Sequence, residues 1–178
     1  MKTSSKKKTE LLTSDELRIL TALQKNSKDS ISSIAKSCGF SRQRVQRILA
    51  QLEEDRVIWG YTAITDEKKE GRLRYIILIK RSMNRVDRET SKKIAYIYFD
   101  EEYEKQGIIV EGSYYLHGEY DWMIILTAKT LRDAKKFSTV ILEKYPNIIA
   151  KVILIQVLHS SKSHHIKNPN PDTLLDFL

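Results

Sequence analysis

The chain has a single cysteine, Cys38, among 178 residues. A lone thiol can neither close an internal disulfide nor build a thiolate metal cluster, so disulfide scaffolds, oxidising compartments and zinc fingers lose their sequence support. No apolar run approaches the roughly 18 residues that a membrane-spanning helix needs. The lysine-rich start, Met1 to Thr9, is not followed by the apolar stretch of a secretory signal. The expectation is a chain that stays in the cytoplasm, away from membranes. Also missing are a glycine-rich phosphate loop, a catalytic triad and a set of metal ligands. His117 and Glu119 stand close together without a nucleophile beside them, and His164 and His165 have no third ligand at suitable spacing. An enzyme is therefore not expected, nor a cofactor, a metal site or a catalytic residue.

What is present in quantity is apolar material and positive charge. Hydrophobic residues make up 41% of the chain and charged residues 30%, enough for a packed core, and the length allows one medium domain or two small ones. There are 31 Lys and Arg against 23 Asp and Glu, a net charge of +8. Residues 1–72 hold 15 basic and 10 acidic side chains, and residues 73–178 hold 16 and 13. Positive charge is thus denser in the shorter N-terminal part. Such a field attracts polyphosphate or an anionic membrane surface, and the choice between them falls to motifs.

Three short amphipathic helices are predicted before residue 56. The first opens at Thr13, with Glu16 completing a capping box, buries Leu17, Leu20 and Leu23, and ends near Lys25. The second starts at Ser30, sets Ile31, Ile34, Ala35 and Cys38 on one stripe, and stops at Gly39. Cys38 therefore reads as a buried, inert thiol. The third is capped by Ser41 and repeats the spacing with Val45, Ile48, Leu49 and Leu52. Two helices joined by a tight turn containing glycine form a helix-turn-helix. At about 100° per residue, Gln43, Arg47 and Ala50 fall within about 30° of the pole opposite the third helix's buried stripe. Gln46 lies nearby, and Arg42 and Arg44 take the flanks. Arg and Gln can make paired hydrogen bonds to guanine and adenine edges in the major groove, and alanine permits close approach. Flanking arginines, with Ser41 at the helix N-terminus, suit phosphates. A polar helix face is ordinarily just solvated. Here the preceding helix and turn favour double-stranded DNA as the partner.

Beyond residue 56 the period shifts toward 2. Val57 to Ile64 reads as an extended linker strand, and Asp66 to Arg72 as a polar connection. Strands follow at Tyr75–Lys80, Ile108–Leu116, Trp122–Ala128 and Ala150–Leu158. One helix runs from Asp87 to about Lys105 with Ile94, Ala95, Ile97, Tyr98 and Phe99 inside it. Another is capped by Thr130, buries Ala134, Phe137 and Ile141, and stops before Pro146. The order β-α-β-β-α-β is the ferredoxin-like split motif. With both helices on one face of the sheet, the other face needs cover, most simply from a second copy. The expected class is α+β, in four parts. Residues 1–56 form a helix-turn-helix domain and 57–72 a linker strand and connection. Residues 73–160 form a ferredoxin-like domain for dimerisation and effector binding, and 161–178 a polar, flexible tail. Leu174, Leu175, Phe177 and Leu178 are the tail's candidates for docking.

These residues carry a family resemblance. Glu16-Leu17-Arg18-Ile19-Leu20, Ile34 to Ser41, Val45 to Glu54 and Val57-Ile58-Trp59-Gly60-Tyr61-Thr62-Ala63 resemble the N-terminal half of the Lrp/AsnC transcription regulators. Gly118-Glu119-Tyr120-Asp121 before an apolar strand is similar to the motif joining the two central strands of that family's C-terminal domain. The resemblance implies a DNA-binding regulator that dimerises, often assembles into larger rings, and answers to amino acids or related metabolites. It marks Gly118, Tyr120 and Asp121 as candidate effector-binding residues. Gly118 lets backbone approach a ligand closely, and Asp121 could accept hydrogen bonds from an amino group. A plain hairpin, with Gly118 relieving strain and Asp121 capping a strand, is the alternative. The sequence departs from the family pattern where Asp55-Arg56 replaces the glycine that usually ends the recognition helix, in the length of the helix from Asp87, and in the tail. Two other functions stay open, an effector-independent architectural protein that bends or wraps DNA, and an enzyme built on the ferredoxin-like domain.

Overall fold

The computed structural model describes residues 11–95 and 101–178. They form two compact units, one of residues up to Ile64 with Ser161–Asn170, the other of Thr65–Ser160 with Pro171–Leu178. No helix among the described residues is long and apolar enough to cross a membrane.

The first unit is built on α1 (Ser14–Lys25), α2 (Ile31–Cys38) and α3 (Arg42–Glu54). Each start is set by a local side chain. Thr13 and Glu16 form the reciprocal capping box on α1, Ser30 accepts from the Ser33 N–H on α2, and Ser41 does the same for Arg44 on α3, satisfying donors the helix itself cannot pair. The core holds Ile19, Leu23, Ile34, Ala35, Cys38, Val45 and Leu49, with Ala22, Ile31, Phe40, Ile48 and Ile58 packed around it. The expected stripe of α1 is corrected: Leu17 is 50% exposed and Ile19 is fully buried. Residues at i, i+3 and i+6 drift about 120° around a helix, whereas Ile19 and Leu23, at i and i+4, lie only about 40° apart.

Residues 57–64 do not form the expected strand. They run without regular structure, with Trp59 95% exposed and Val57, Tyr61 and Ile64 also open. A strand exists only through the ladder it shares with a neighbour, and this stretch has none within the described residues.

The second unit is an antiparallel sheet of β1 (Leu73–Arg81), β2 (Ile108–Tyr115), β3 (Trp122–Ala128) and β4 (Ile149–Gln156), in the order β2-β3-β1-β4. The connections carry α4 (Arg88–Ala95) and α5 (Glu101–Lys105) between β1 and β2, and α6 (Leu131–Lys144) between β3 and β4. This is the ferredoxin-like arrangement, with strand limits within about two residues of expectation. Ile97, Tyr98 and Phe99, expected inside the helix from Asp87, lie outside the described residues. Tyr75, Ile77, Ile79, Ile124 and Leu126 on one sheet face join Ala134, Phe137 and Ile141 of α6 in the core, and the Tyr103 ring of α5 meets Phe137 edge-on at 5.0 Å. Alternation sends Ile76, Leu78, Met123, Ile125, Ile153 and Ile155 to the opposite face. There Ile76 pairs with Ile125 and Ile155, and Leu78 with Met123 and Ile153. At one end of that face Arg74 forms ion pairs with Glu67 and Glu111.

Arg72, the last residue of the expected polar connection, is buried: its Nε donates to Thr127 Oγ1 at 2.9 Å, and its Nη2 donates to the carbonyls of Thr127 and Gly107 at 2.8 and 2.9 Å. The expected flexible tail is folded. Lys162–Ser163 (β5) pairs with Ile166–Lys167 (β6), and Pro171–Phe177 forms a 3₁₀ helix. Lys68 secures the second piece by donating to the Leu158 carbonyl at 3.2 Å while its ammonium sits 5.2 Å from the Phe177 ring centre. Thr173 Oγ1 and His159 Nδ1 add a 3.0 Å hydrogen bond. Leu175 and Leu178 stay exposed.

Candidate nucleic-acid interface

The turn between α2 and α3 is made by Gly39, whose backbone is left-handed at φ 67° and ψ 34°. The Gly39 N–H donates to the Lys36 carbonyl at 3.3 Å and the Phe40 N–H to the Ala35 carbonyl at 2.9 Å, the paired closing bonds of a Schellman turn. Ser41 then starts α3 at once. Val45, Leu49 and Leu52 are buried, which fixes the rotation of α3 about its axis. Ser41, Arg42, Gln43, Arg44, Gln46, Arg47 and Ala50 are consequently all exposed.

Within that set the side chains differ in how committed they are. Arg42 and Arg47 make no ion pair among the described residues. Arg44 pairs with Asp15 of α1 and lies 4.6 Å from the centre of the Phe40 ring, while Arg18 lies 5.1 Å from the same ring. Phe40 thus meets two guanidiniums, one from α1 and one from α3. Ser41 already spends its oxygen as an acceptor for the Arg44 N–H at 3.2 Å. Sequence reading missed the Arg18–Phe40–Arg44–Asp15 cluster, because its members come from two helices and a turn and share no local spacing. Cys38 is buried on the inner stripe as expected, with its Sγ 3.7 Å from the Arg18 carbonyl.

The end of α3 repeats the Gly39 device with a different residue. Arg56 takes φ 56°, its N–H donates to the Glu53 carbonyl at 3.0 Å, and the Val57 N–H donates to the Leu52 carbonyl at 2.9 Å. Beyond it, the Tyr61 hydroxyl donates to Glu53 Oε1 at 2.8 Å. Partial burial, then that hydrogen bond and the carboxylate's charge, raise the Tyr61 pKa above the ordinary tyrosine value.

The turn Gly118–Asp121 joins β2 to β3. Its Asp121 Oδ2 accepts from the Arg81 N–H at 2.7 Å, the Asp121 N–H donates to the Ile79 carbonyl at 2.9 Å, and the Leu116 N–H donates to the Asp121 carbonyl at 2.7 Å. Asp121 therefore fastens the β2–β3 turn to the end of β1. Tyr120 is half-buried and Gly118 exposed. Gly118 does not have a positive φ, and a Cβ there would meet nothing within 4 Å. The strain-relief reading of Gly118 is thereby corrected, since the backbone at this position accepts any residue.

Residues 16–58 match the family model described as winged helix-turn-helix DNA-binding. An uncharacterised helix-turn-helix-type transcriptional regulator of Bacillus subtilis, YugG, is 28% identical over 128 residues, which is 71% of this chain and 73% of that protein. The fold is shared with an AsnC family transcriptional regulator from Agrobacterium tumefaciens (TM-score 0.63, 18% identity, 94% of this chain and 99% of that one). It is also shared with the transcriptional regulator NMB0573 from Neisseria meningitidis, solved as a complex with L-Met (TM-score 0.63, 17% identity, 90% and 97%). With the capped helix-turn-helix and the ferredoxin-like sheet in this order, the chain carries a winged helix-turn-helix DNA-binding domain over residues 16–58 and shares the fold of an AsnC family regulator.

Proposed function

We propose that the regulator reads its operator through the exposed face of α3, as a homodimer, under the control of an amino acid or related metabolite. The observation that carries the DNA part is that face itself. No acid occurs in residues 41–52, and Arg42, Gln43, Gln46, Arg47 and Ala50 stand exposed on a helix whose rotation is locked by its core. Arg47 and Gln43, at the centre, read base edges. Arg42 holds phosphate. Arg44 serves chiefly to tie α3 to α1 through Asp15 and Phe40, with its remaining N–H groups turned to phosphate. A panel of duplexes with single base-pair changes, titrated against wild type and Arg47→Ala, tests the assignment. Loss of discrimination supports it, and equal weakening on every duplex sinks it.

The domains act as separate modules in this reading, with residues 73–160 sufficient for pairing. Its support is the sheet face of Ile76, Leu78, Met123, Ile125, Ile153 and Ile155, an apolar surface that α6 does not cover. Two copies packed through it would present two α3 helices to half-sites one helical turn apart, or a multiple of that. Light scattering of the full chain and of residues 73–178 checks this, and a monomer at tens of micromolar overturns it.

Gly118, Tyr120 and Asp121 are the proposed effector contacts, supported by the L-Met complex of a protein with the same fold. Asp121 keeps Oδ1 for an ammonium group while Oδ2 holds the Arg81 N–H. A ligand acts on DNA affinity only if it binds one assembly state better than another. The test is a thermal-shift screen of the amino acids against wild type and Asp121→Asn, which keeps an acceptor for Arg81 but removes the charge. A shift in wild type that the variant lacks supports the reading. No shift from any compound leaves an effector-independent architectural protein as the better description.

A further inference from the structure

The segment Ser161–Asn170 groups with the helical unit and not with the sheet that precedes it in the chain. Its hairpin has two features that do not favour its own stability. The register sets Lys162 directly opposite Lys167, and like charges at that distance repel across a strand pair. The two-residue loop His164-His165 places His164 at φ 51°, a left-handed conformation that glycine adopts freely and that strains most side chains. The base of the hairpin is nonetheless secured, by the Asn168 N–H donating to the Ser161 carbonyl at 3.0 Å and the Asn170 N–H donating to Asn168 Oδ1 at 2.8 Å. Between Glu143 and Asp172 the chain has no acidic residue. The hairpin thus presents Lys162, His164, His165 and Lys167, all exposed, as a basic, acid-free surface on the unit that carries α3.

We propose that this hairpin is a second DNA-binding element, which takes backbone phosphates of the duplex with Lys162 and Lys167 and with the imidazole N–H groups at its tip. Phosphate binding of this kind adds affinity without reading sequence. The proposal rests on α3 being the base-reading helix and adds a sequence-independent anchor outside the helix-turn-helix.

The test uses the full chain, a random-sequence duplex and fluorescence anisotropy at several salt concentrations. Replacing both lysines, Lys162→Ala with Lys167→Ala, should weaken binding on the order of tenfold near 0.1 M salt. It should also flatten the dependence of log K on log salt by about 0.9 for each phosphate that the variant no longer neutralises. Lys162→Glu separates charge from folding. It gives Lys167 an opposite charge across the strand pair, so thermal stability should hold or rise while DNA affinity falls. Unchanged affinity and salt slope in both variants, with wild type still binding and Arg47→Ala still losing discrimination, overturn the hairpin proposal alone. Failure of wild type to bind any duplex overturns it together with the reading of α3.

Discussion

The exposed face of α3 and the Gly118–Asp121 turn are both conspicuous in sequence, yet their side chains are used in opposite ways. On α3, the buried residues hold the helix and leave Arg42, Gln43, Gln46 and Arg47 exposed and outside the core of the described residues. In the turn, Asp121 itself holds β1 through the Arg81 N–H, and its backbone holds Ile79 and Leu116. Residues spared by the fold can be changed with little effect on stability, whereas a residue that both holds the fold and meets a ligand confounds the two. The proposed DNA face can therefore be tested by truncation, and the proposed effector turn only by substitutions that preserve its hydrogen bond.

Asp121→Ala should therefore have the largest effect on folding. It strands a partly buried N–H, at a cost of about 1–3 kcal/mol in chemical denaturation, and it should lower the melting temperature without ligand present. A melting temperature equal to wild type would remove the structural half of the contrast. Arg47→Ala should show the reverse pattern, with stability within about 0.5 kcal/mol of wild type and a loss of about 1–3 kcal/mol at a cognate site. Calorimetry beside a binding titration distinguishes the two, and a marked drop in stability would place Arg47 with Asp121.

Arg44→Ala is expected between these extremes. The Asp15 pair is half exposed, with side chains 47% and 30% accessible, so it contributes about 0.2–1 kcal/mol, and the approach to Phe40 about 0.5–1 kcal/mol more. Stability and DNA affinity should both fall modestly, and Asp15→Ala should reproduce the first loss with much less of the second. Equal loss of DNA affinity in the two variants would show that Arg44 acts on DNA only by supporting α3. The smallest effect belongs to Arg56→Gly. Because Arg56 holds the left-handed position that Gly39 occupies after α2, this change should raise stability by about 0.5–1 kcal/mol. Urea unfolding would register it, and a loss would mean that the Arg56 side chain makes up for its backbone strain.

The helical unit was legible wherever one segment carried its own instructions. Thr13 with Glu16, Ser30, Gly39 and Ser41 act over three or four residues, so their caps and turn could be read directly. The sheet unit was legible through strand composition and element order. Leu17 and Ile19 were not, since both fit a loosely drawn apolar stripe and only packing against α2 and α3 selects between them. Arg72 escaped because its acceptors, Thr127 and Gly107, are distant in sequence. The folding of the tail is not legible for a similar reason: Phe177 and Thr173 are held by Lys68 and His159, partners that no local pattern announces.

By itself, the sequence determined the helices and their caps, the strand order, and an acid-free face on α3, because each follows from short-range sterics, hydrogen bonding and periodicity. Tertiary structure alone decided which side of α1 is buried, that Arg44 turns toward Asp15 and Phe40, that Asp121 is occupied by Arg81, and that residues 162–177 fold. Those outcomes depend on groups far apart in the chain meeting in space, and burial and pairing energies are realised only once they meet.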